Sequence, residues 1–327
     1  MVSWNGVRVL VTGANGFMAS HLTEALLSQG AEVSVVVRYV SAGSGPAALT
    51  HLRSHRDRLH RILRLDLATP DAAEAIAELS PEVIFHLAAD AWVPRSFELP
   101  REVVQNNVGS TLQVLHGARS CERLQRVVIT SSSEIYGTAQ TSRIAEDHPL
   151  EPTSPYAASK VACDRLAAAW RETFGIPVAI IRPFNTFGPR HVYDVIPKFV
   201  RLALAGEPLT VHGSGEQSRD FTYVDDMVRA FLAMGSDPAA VGRVVNFGTG
   251  EATSIATVAR RIVELAESTS EIIHDERRTA EVDRLTCDPS LAHELFGWKA
   301  EVSLVEGLRR HIAWARQHAL SARGTGR

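Results

Sequence analysis

The segment Gly13-Ala14-Asn15-Gly16-Phe17-Met18-Ala19 constrains this 327-residue chain more than any other. It follows the β-branched run Val7–Thr12 and opens a stretch, Ala19–Ser28, with apolar residues at helical spacing. A glycine at the strand end permits a tight turn, and a second lets backbone approach a pyrophosphate at the helix N-terminus. A small third residue, here Ala19, allows close helix–strand packing. A glycine pattern alone is weak, but on the first strand-to-helix turn it is specific for a dinucleotide.

The same alternation continues through the first half. Val33–Arg38, Val83–Leu87, Val127–Ser131 and Val178–Arg182 read as strands, and Asp71–Leu79, Asn107–Arg119 and Ser159–Thr173 as helices. Strands alternating with helices predict an α/β fold, a doubly wound parallel Rossmann sheet. From about Pro183 proline and glycine increase and the alternation loosens. Val244-Val245-Asn246-Phe247-Gly248 is expected to return as one more strand. Residues 1–182 plus about 222–250 are therefore assigned to the dinucleotide-binding domain. Residues 183–221 plus about 251–320 are assigned to a smaller α/β lobe over the carboxyl ends of the strands, and 321–327 to a tail.

Bulk properties exclude several classes. Hydrophobic residues at 45% and charged residues at 22% are ordinary for a soluble globular protein, and a net charge of −3 gives no electrostatic case for nucleic acid or an anionic membrane. No secretory signal and no apolar run of about 18 residues is seen, so a cytoplasmic location is expected. Cys121, Cys163 and Cys287 are too few and too scattered for a disulfide framework or a zinc site, and no metal is expected. The basic stretch Arg53–Arg64 reads as a solvated helix face.

The second strand ends Val37-Arg38-Tyr39 with no nearby carboxylate. An NAD site usually has an acid there for the ribose hydroxyls, whereas Arg38 would pair with a 2′-phosphate, so NADP is favoured and NAD stays open. Asp66 and Leu67 are placed to meet the adenine, with a helix N-cap as the alternative for Asp66.

Thr12-Gly13-Ala14-Asn15-Gly16-Phe17, His86-Leu87-Ala88-Ala89, Asn107, Tyr156/Lys160 and Arg182-Pro183-Phe184-Asn185 together resemble the extended short-chain dehydrogenase/reductase family. Its members act on nucleotide sugars as epimerases, dehydratases or decarboxylases. The resemblance continues through Arg219–Asp226, Asn246-Phe247-Gly248 and Leu295-Phe296-Gly297-Trp298. It implies that Gly13, Asn15, Gly16, Phe17, Met18, Leu87, Ala88, Ala89 and Asn107 cradle the cofactor with Tyr156 and Lys160. Ser132 completes a Ser/Tyr/Lys set. Tyrosine's ordinary pKa of about 10 is too high for a neutral-pH base, and Lys160, one helical turn on, is expected to lower it.

Glu134 discriminates among reactions. Once C4 of a hexose is a ketone, its C5 hydrogen is acidic enough for a carboxylate to remove, and water is then lost from C5/C6. Ser133 stands where many dehydratases carry an acidic Asp, and a serine is too weak an acid to replace it directly. The resemblance is nearest the Ser-Glu dehydratases that act on UDP-N-acetylglucosamine or GDP-mannose. The expected activity is a nucleotide-sugar 4,6-dehydratase, with UDP-glucuronate decarboxylase, 4-epimerase and 5,6-dehydratase as alternatives. A non-catalytic NADP-binding sensor is the alternative outside that class, and such proteins usually lack the Tyr or the Lys. Asn185 and Arg219, with Arg278 as a second clamp, are implied on the diphosphate, Leu209 and Val211 near the base, and Trp92 and Arg95 in the sugar pocket. The helices around Asn107–Arg119 and Ser159–Thr173 are implied to pair two subunits as a homodimer through a four-helix bundle.

Overall fold

A computed structural model of the chain describes residues 3–38, 49–277 and 282–324. Its centre is a seven-stranded, all-parallel sheet. The strands are β1 (Arg8–Thr12), β2 (Glu32–Val37), β3 (Arg61–Arg64), β4 (Val83–His86), β5 (Arg126–Thr130) and β6 (Val178–Pro183), with the late strand Val244–Phe247 on the β6 edge. Their order is β3-β2-β1-β4-β5-β6 followed by that late strand. The order reverses between β1 and β4, and ligands bind such sheets in the crevice outside the carboxyl ends at this point.

Buried valines and isoleucines fill both faces of the inner strands, as parallel sheets covered by helices require. Helix α1 (Phe17–Ser28) covers one face. Helices α2 (Asp71–Leu79), α4 (Pro100–Ala118) and α5 (Pro155–Phe174) cover the other, and the short α3 (Val93–Glu98) leads into α4. Ser154 caps α5 by accepting from Ala157 N at 3.1 Å, and Pro155 takes the first helical position, where no amide hydrogen is needed.

The lobe contains the short strand β7 (Thr186–Phe187), helix α6 (Val195–Ala205), then β8 (Leu209–His212), β9 (Ser218–Arg219) and β10 (Thr222–Tyr223). Helix α7 (Val224–Ser236) then runs back beneath the sheet to β11, the late strand (Val244–Phe247). After it come β12 (Thr253–Ser254), α8 (Ile255–Leu265), β13 (Ile272–Asp275), β14 (Arg284–Leu285), α9 (Ser290–Phe296) and α10 (Leu304–Gly324). One apolar cluster runs without a break from Val9 and Val11 in the sheet to Leu209, Val211, Val258 and Ile262 in the lobe, so the two regions share a core. Asp226 ties α7 to the Leu295–Trp298 turn, accepting from Glu301 N (3.1 Å) and Val302 N (3.0 Å), while its carbonyl accepts from Trp298 Nε1 at 3.2 Å.

Three expectations are corrected here. The basic stretch is not one helix face, because Arg53–Arg58 forms a short 3-10 turn and Arg61–Arg64 is the edge strand β3. Helix α4 begins at Pro100, well before Asn107, because Pro100 suits a first turn. The last helix continues to Gly324, past the expected start of the tail at 321. Among the described residues no helix is long and apolar enough to cross a membrane.

Behind the catalytic elements lies a buried ion pair. Arg182 Nε of β6 donates to Asp164 Oδ2 of α5 at 2.9 Å, and both side chains are 2% exposed. Removing one partner of such a pair leaves an uncompensated buried charge, at a cost of about 3–5 kcal/mol. Asp164→Ala is therefore expected to lower unfolding free energy by about that amount, read from chemical denaturation.

Candidate active site

The floor of the site is the contact between the first turn and the end of β4. Gly13 has φ +70°, and a Cβ on it would lie 2.8 Å from Ala88 Cα and 2.9 Å from Ala88 N. Only glycine fits this approach. Thr12 Oγ1 accepts from Leu87 N at 3.2 Å and Ala88 N at 3.1 Å, which leaves its proton for His86 Nδ1 at 2.9 Å. His86 Nε2 then donates to Thr111 Oγ1 (3.1 Å), which donates to Asn107 O (2.9 Å). Burial, with the charge of Lys160, lowers the His86 pKa to about 3, so the imidazole in this chain is neutral.

These residues fit a dinucleotide. Gly16 caps α1, Gly16 N donates to Gly13 O at 2.8 Å, and the first turn of α1 holds no acid, so its amide dipole faces an anion unopposed. Within the loop the buried Asn15 Oδ1 has no hydrogen-bond partner among the described residues. Leu87 and Met18 pack on the apolar cluster of the α1 side, Ala88 on that of the α4 side, and Ala89 is exposed. Phe17 turns to His191, stacking at 4.6 Å between centroids and 5° between planes. Arg38 is exposed at the end of β2, and Leu67 is buried. Asp66 caps no helix. It closes a local turn by accepting from Ala68 N at 2.9 Å. Asn107 is spent on the protein itself: Oδ1 accepts from Asp90 N (2.7 Å), and Nδ2 donates to Asp90 O (3.2 Å) and Ser159 Oγ (2.9 Å). It pins the loop after β4 to α5.

At the end of β5 the chain turns into the short helical segment Ser133–Tyr136. Ser132 caps it, accepting from Glu134 N at 3.2 Å, and bonds the Tyr156 hydroxyl. Ser133 is buried. Burial raises the Tyr156 pKa, the Ser132 bond lowers it, and Tyr193, Glu134 and Asp194 raise it further. Lys160 is expected to lower it as well. Lys160 Nζ donates to Thr130 O at 2.8 Å, and burial lowers its own pKa against the pull of Cys163 and Asp164. Burial outweighs the neighbouring amine, and Tyr156 is held protonated. Glu134 is raised by burial, drawn back by Arg219 and raised again by Asp194.

Tyr193 and Asp194 thus act electrostatically on Tyr156, an influence that the sequence did not disclose. Burial, Asp194 and Asp90 push the Tyr193 pKa up to about 12. Their only sequence signal is Gly188-Pro189, which marks a loop after β7 without saying where it points.

On the sugar side, Trp92 is 43% exposed at the start of α3. Arg95 is paired with Asp90 (2.9 Å) and Glu102 (3.2 Å), so the expected contact is already engaged by carboxylates. Leu209 and Val211 are fully buried in the shared core; the half-exposed residues of β8 are Thr210 and His212. The period of two along a strand places the pair on the inner face. The buried Asn185 Oδ1 has no partner among the described residues. Arg219, expected on a diphosphate, donates to Ser218 O at 2.9 Å, and its charge draws the Glu134 pKa down. Arg278 lies outside the described residues. Among those described, no cluster of His, Cys, Asp and Glu could hold a metal.

A dinucleotide crevice faced by Ser132, Tyr156, Lys160 and a carboxylate defines a class of redox enzyme, and comparison with known proteins agrees. Residues 10–311 match the family model described as GDP-mannose 4,6 dehydratase. The chain is 34% identical to UDP-glucose 4-epimerase of Mycolicibacterium smegmatis, over 95% of this chain and 99% of that one. It is 32% identical to a probable dTDP-glucose 4,6-dehydratase of Sinorhizobium fredii (94% and 92%) and 33% identical to UDP-glucuronic acid decarboxylase 1 of Xenopus tropicalis (95% and 72%). Among solved structures, dTDP-glucose 4,6-dehydratase of Streptomyces venezuelae, with NAD bound, superposes with a TM-score of 0.87 at 29% identity, covering 96% of this chain and 98% of that one. The chain belongs to the extended short-chain dehydrogenase/reductase family of nucleotide-sugar epimerases and dehydratases, and is an NAD(P)-dependent enzyme of that class.

Two outcomes follow from this geometry. Gly13→Ala is expected to abolish measurable dinucleotide binding by fluorescence titration and to lower stability by about 1 kcal/mol or more. Glu134, with a folded-state pKa above its unfolded value, binds protons more readily when folded. Its destabilising contribution is absent below the unfolded pKa and grows as pH rises through the folded one. Glu134→Gln should therefore melt above the wild type at neutral pH, with the difference closing toward about pH 4.

Proposed function

We propose that the protein is a nucleotide-sugar 4,6-dehydratase acting on a nucleoside-diphosphate hexose, with a UDP-linked sugar as the first candidate. The observation that carries this reading is Glu134, a half-buried carboxyl with a raised pKa whose charge acts on Tyr156. Epimerisation through a 4-ketone needs no base for carbon, and a desolvated carboxyl without a task is costly to keep.

Tyr156, held by Ser132, takes the proton of the C4 hydroxyl. A nicotinamide dinucleotide held by Gly13, Gly16 and Lys160 would supply a positive ring that favours tyrosinate and the hydride acceptor and donor that C4 and C6 need. Lys160, anchored on Thr130 O, keeps a positive charge behind Tyr156. Glu134 removes the C5 proton and gives it to the departing C6 hydroxyl, which leaves as water; after hydride reaches C6, C5 takes one proton from solvent by way of the same carboxyl. A carboxyl pKa raised by burial suits both halves of that transfer, and the Arg219 charge opposes the rise. Ser133, buried beside it, orients and does not protonate.

Arg38, exposed where an NAD site carries an acid, supports NADP. Phe97, Leu99 and Val104 of α3 and α4, and Phe174 at the end of α5, are exposed apolar residues that support a homodimer through these helices.

Mass spectrometry of products from UDP-, dTDP-, GDP- and CDP-hexoses tests the reading. Loss of water is expected; loss of CO2 from UDP-glucuronate, or an unchanged mass with altered stereochemistry, overturns it. In D2O, Glu134→Gln should keep cofactor affinity and lose C5 deuterium incorporation by about 10²-fold or more. Retained exchange would remove Glu134 as the carbon base.

A further inference from the structure

Phe17, the first residue of α1, lies between two histidines. Its ring stacks on His191 at 4.6 Å and stands edge-on to His21 at 6.0 Å. His191 belongs to the loop of residues 188–194, which joins β7 to α6 of the lobe. It is 5% exposed, edge-on to Tyr193 at 5.0 Å, and its Nε2 meets Asp194 Oδ2 at 3.1 Å. The rest of the loop is fastened to the same helix. His21 Nε2 donates to Pro189 O at 3.0 Å. Arg190 grips Glu24 through both carboxylate oxygens, at 2.8 and 2.9 Å, and donates to Ser20 Oγ at 3.1 Å. On the far side, His311 of α10 donates to Gly188 O at 2.7 Å.

The loop needs this fastening. Arg190 and Asp194 both have φ 73°, and Asp194, with ψ −178°, lies in a region that is essentially glycine-only. Such strain persists only where the surroundings over-determine it. Here the surroundings include the face of α1 from Phe17 to Glu24, which begins at the turn expected to carry the pyrophosphate. The first amides of a helix have no partner inside it, and that of Phe17 is one of them. The ring of Phe17 therefore serves the loop, and its backbone serves the dinucleotide. An anion that fixes this turn also fixes the platform on which the strained loop rests. Just ahead of β7 stands Asn185, whose buried Oδ1 has no partner among the described residues.

We propose that His191 is a positioning residue that couples the dinucleotide site to the nucleoside-diphosphate site. By clamping Phe17 it lets a bound dinucleotide stabilise the strained loop, and the loop sets β7 and α6 for the second ligand. Both ligands then favour one arrangement, so each tightens the other by the same factor. The side chain suits this task. Its polar edge is engaged by Asp194, its flat face is left for Phe17, and its Nδ1 has no partner among the described residues. The assignment rests on the nucleotide-sugar reading above and adds that the sugar site is fully set only with the dinucleotide in place.

The test is calorimetric titration of UDP, dTDP, GDP and CDP into the enzyme, once stripped of dinucleotide and once saturated with NADP or NAD. The readout is the ratio of the two dissociation constants for the diphosphate that binds tightest. A uniform loss of stability does not move this ratio. In the wild type the dinucleotide should tighten binding about tenfold. His191→Leu keeps the bulk and loses the flat face, and should bring the ratio within about twofold of unity. Phe17→Leu breaks the same stack from α1 and should do likewise, whether or not the first variant folds. His191→Phe keeps a flat face and should hold the wild-type ratio. A wild-type ratio of unity, a ratio unmoved in the leucine variants, or one lost in His191→Phe as well overturns the assignment. Binding of none of the four diphosphates overturns the nucleotide-sugar reading and this assignment with it. A tenfold ratio without water loss in the product assay counts against the dehydratase reading alone.

Discussion

The buried pair of Arg182 and Asp164 fixes the geometry on which everything else in the site depends. Asp164 lies one turn after Lys160 on α5, and the same Oδ2 that takes Arg182 also accepts from Ser131 Oγ at 3.0 Å. Ser131 opens the turn that carries Ser132, Ser133 and Glu134. Arg182 reaches on to the Tyr136 hydroxyl at 2.6 Å and Glu146 O at 3.1 Å, and Tyr136 donates to Asn246 Oδ1 of β11 at 2.7 Å. One ion pair thus sets the helix bearing Tyr156 and Lys160 against the turn bearing Glu134. An apolar replacement of equal volume often stabilises a core more than such a pair does, so its presence is better explained by directional register than by stability. Its negative charge also opposes the burial that pulls the Lys160 pKa down.

How far the sequence discloses this site depends on whether a signal is local. The sheet is legible because each inner strand is a short β-branched run and each helix has its own period, and Gly13 because a tight turn demands glycine. Pairing across the chain leaves no such mark. Arg95 reads as a free cation until Asp90 and Glu102 are seen beside it, and nothing local marks Asn107 as the residue whose amide meets Asp90 and Ser159. Leu209 and Val211 have the same spacing whether their face meets a base or a core. The direction of Lys160 toward Thr130 O follows from the end of β5 lying beside α5, which only the fold supplies.

Asp194 is hidden for a different reason. Local rules place an aspartate before a helix as its cap, and here the rule fails because anchors from α1 and α10, more than a hundred residues away on either side, hold the backbone out of its favoured region. Glu134 shows the same conflict in electrostatic form, since burial penalises its charge and the chain keeps it nonetheless. Sites where local consistency breaks in an otherwise consistent fold are where function is expected.

The substitution pattern at 133 and 134 has a stereochemical consequence under the proposed reaction. With an acid at 133, two groups could divide the work, one taking the C5 proton and the other protonating the C6 hydroxyl from elsewhere in the pocket. Ser133 cannot donate in that way, because an alcohol gives up its proton far less readily than a carboxyl. A single carboxyl must then serve both atoms, and it can reach both only from one face of the sugar. Dehydration by Glu134 alone is therefore a syn elimination, and the proton removed from carbon is the one that leaves with the water. The raised pKa of Glu134 is what lets one group hold that proton between the two events and still release it.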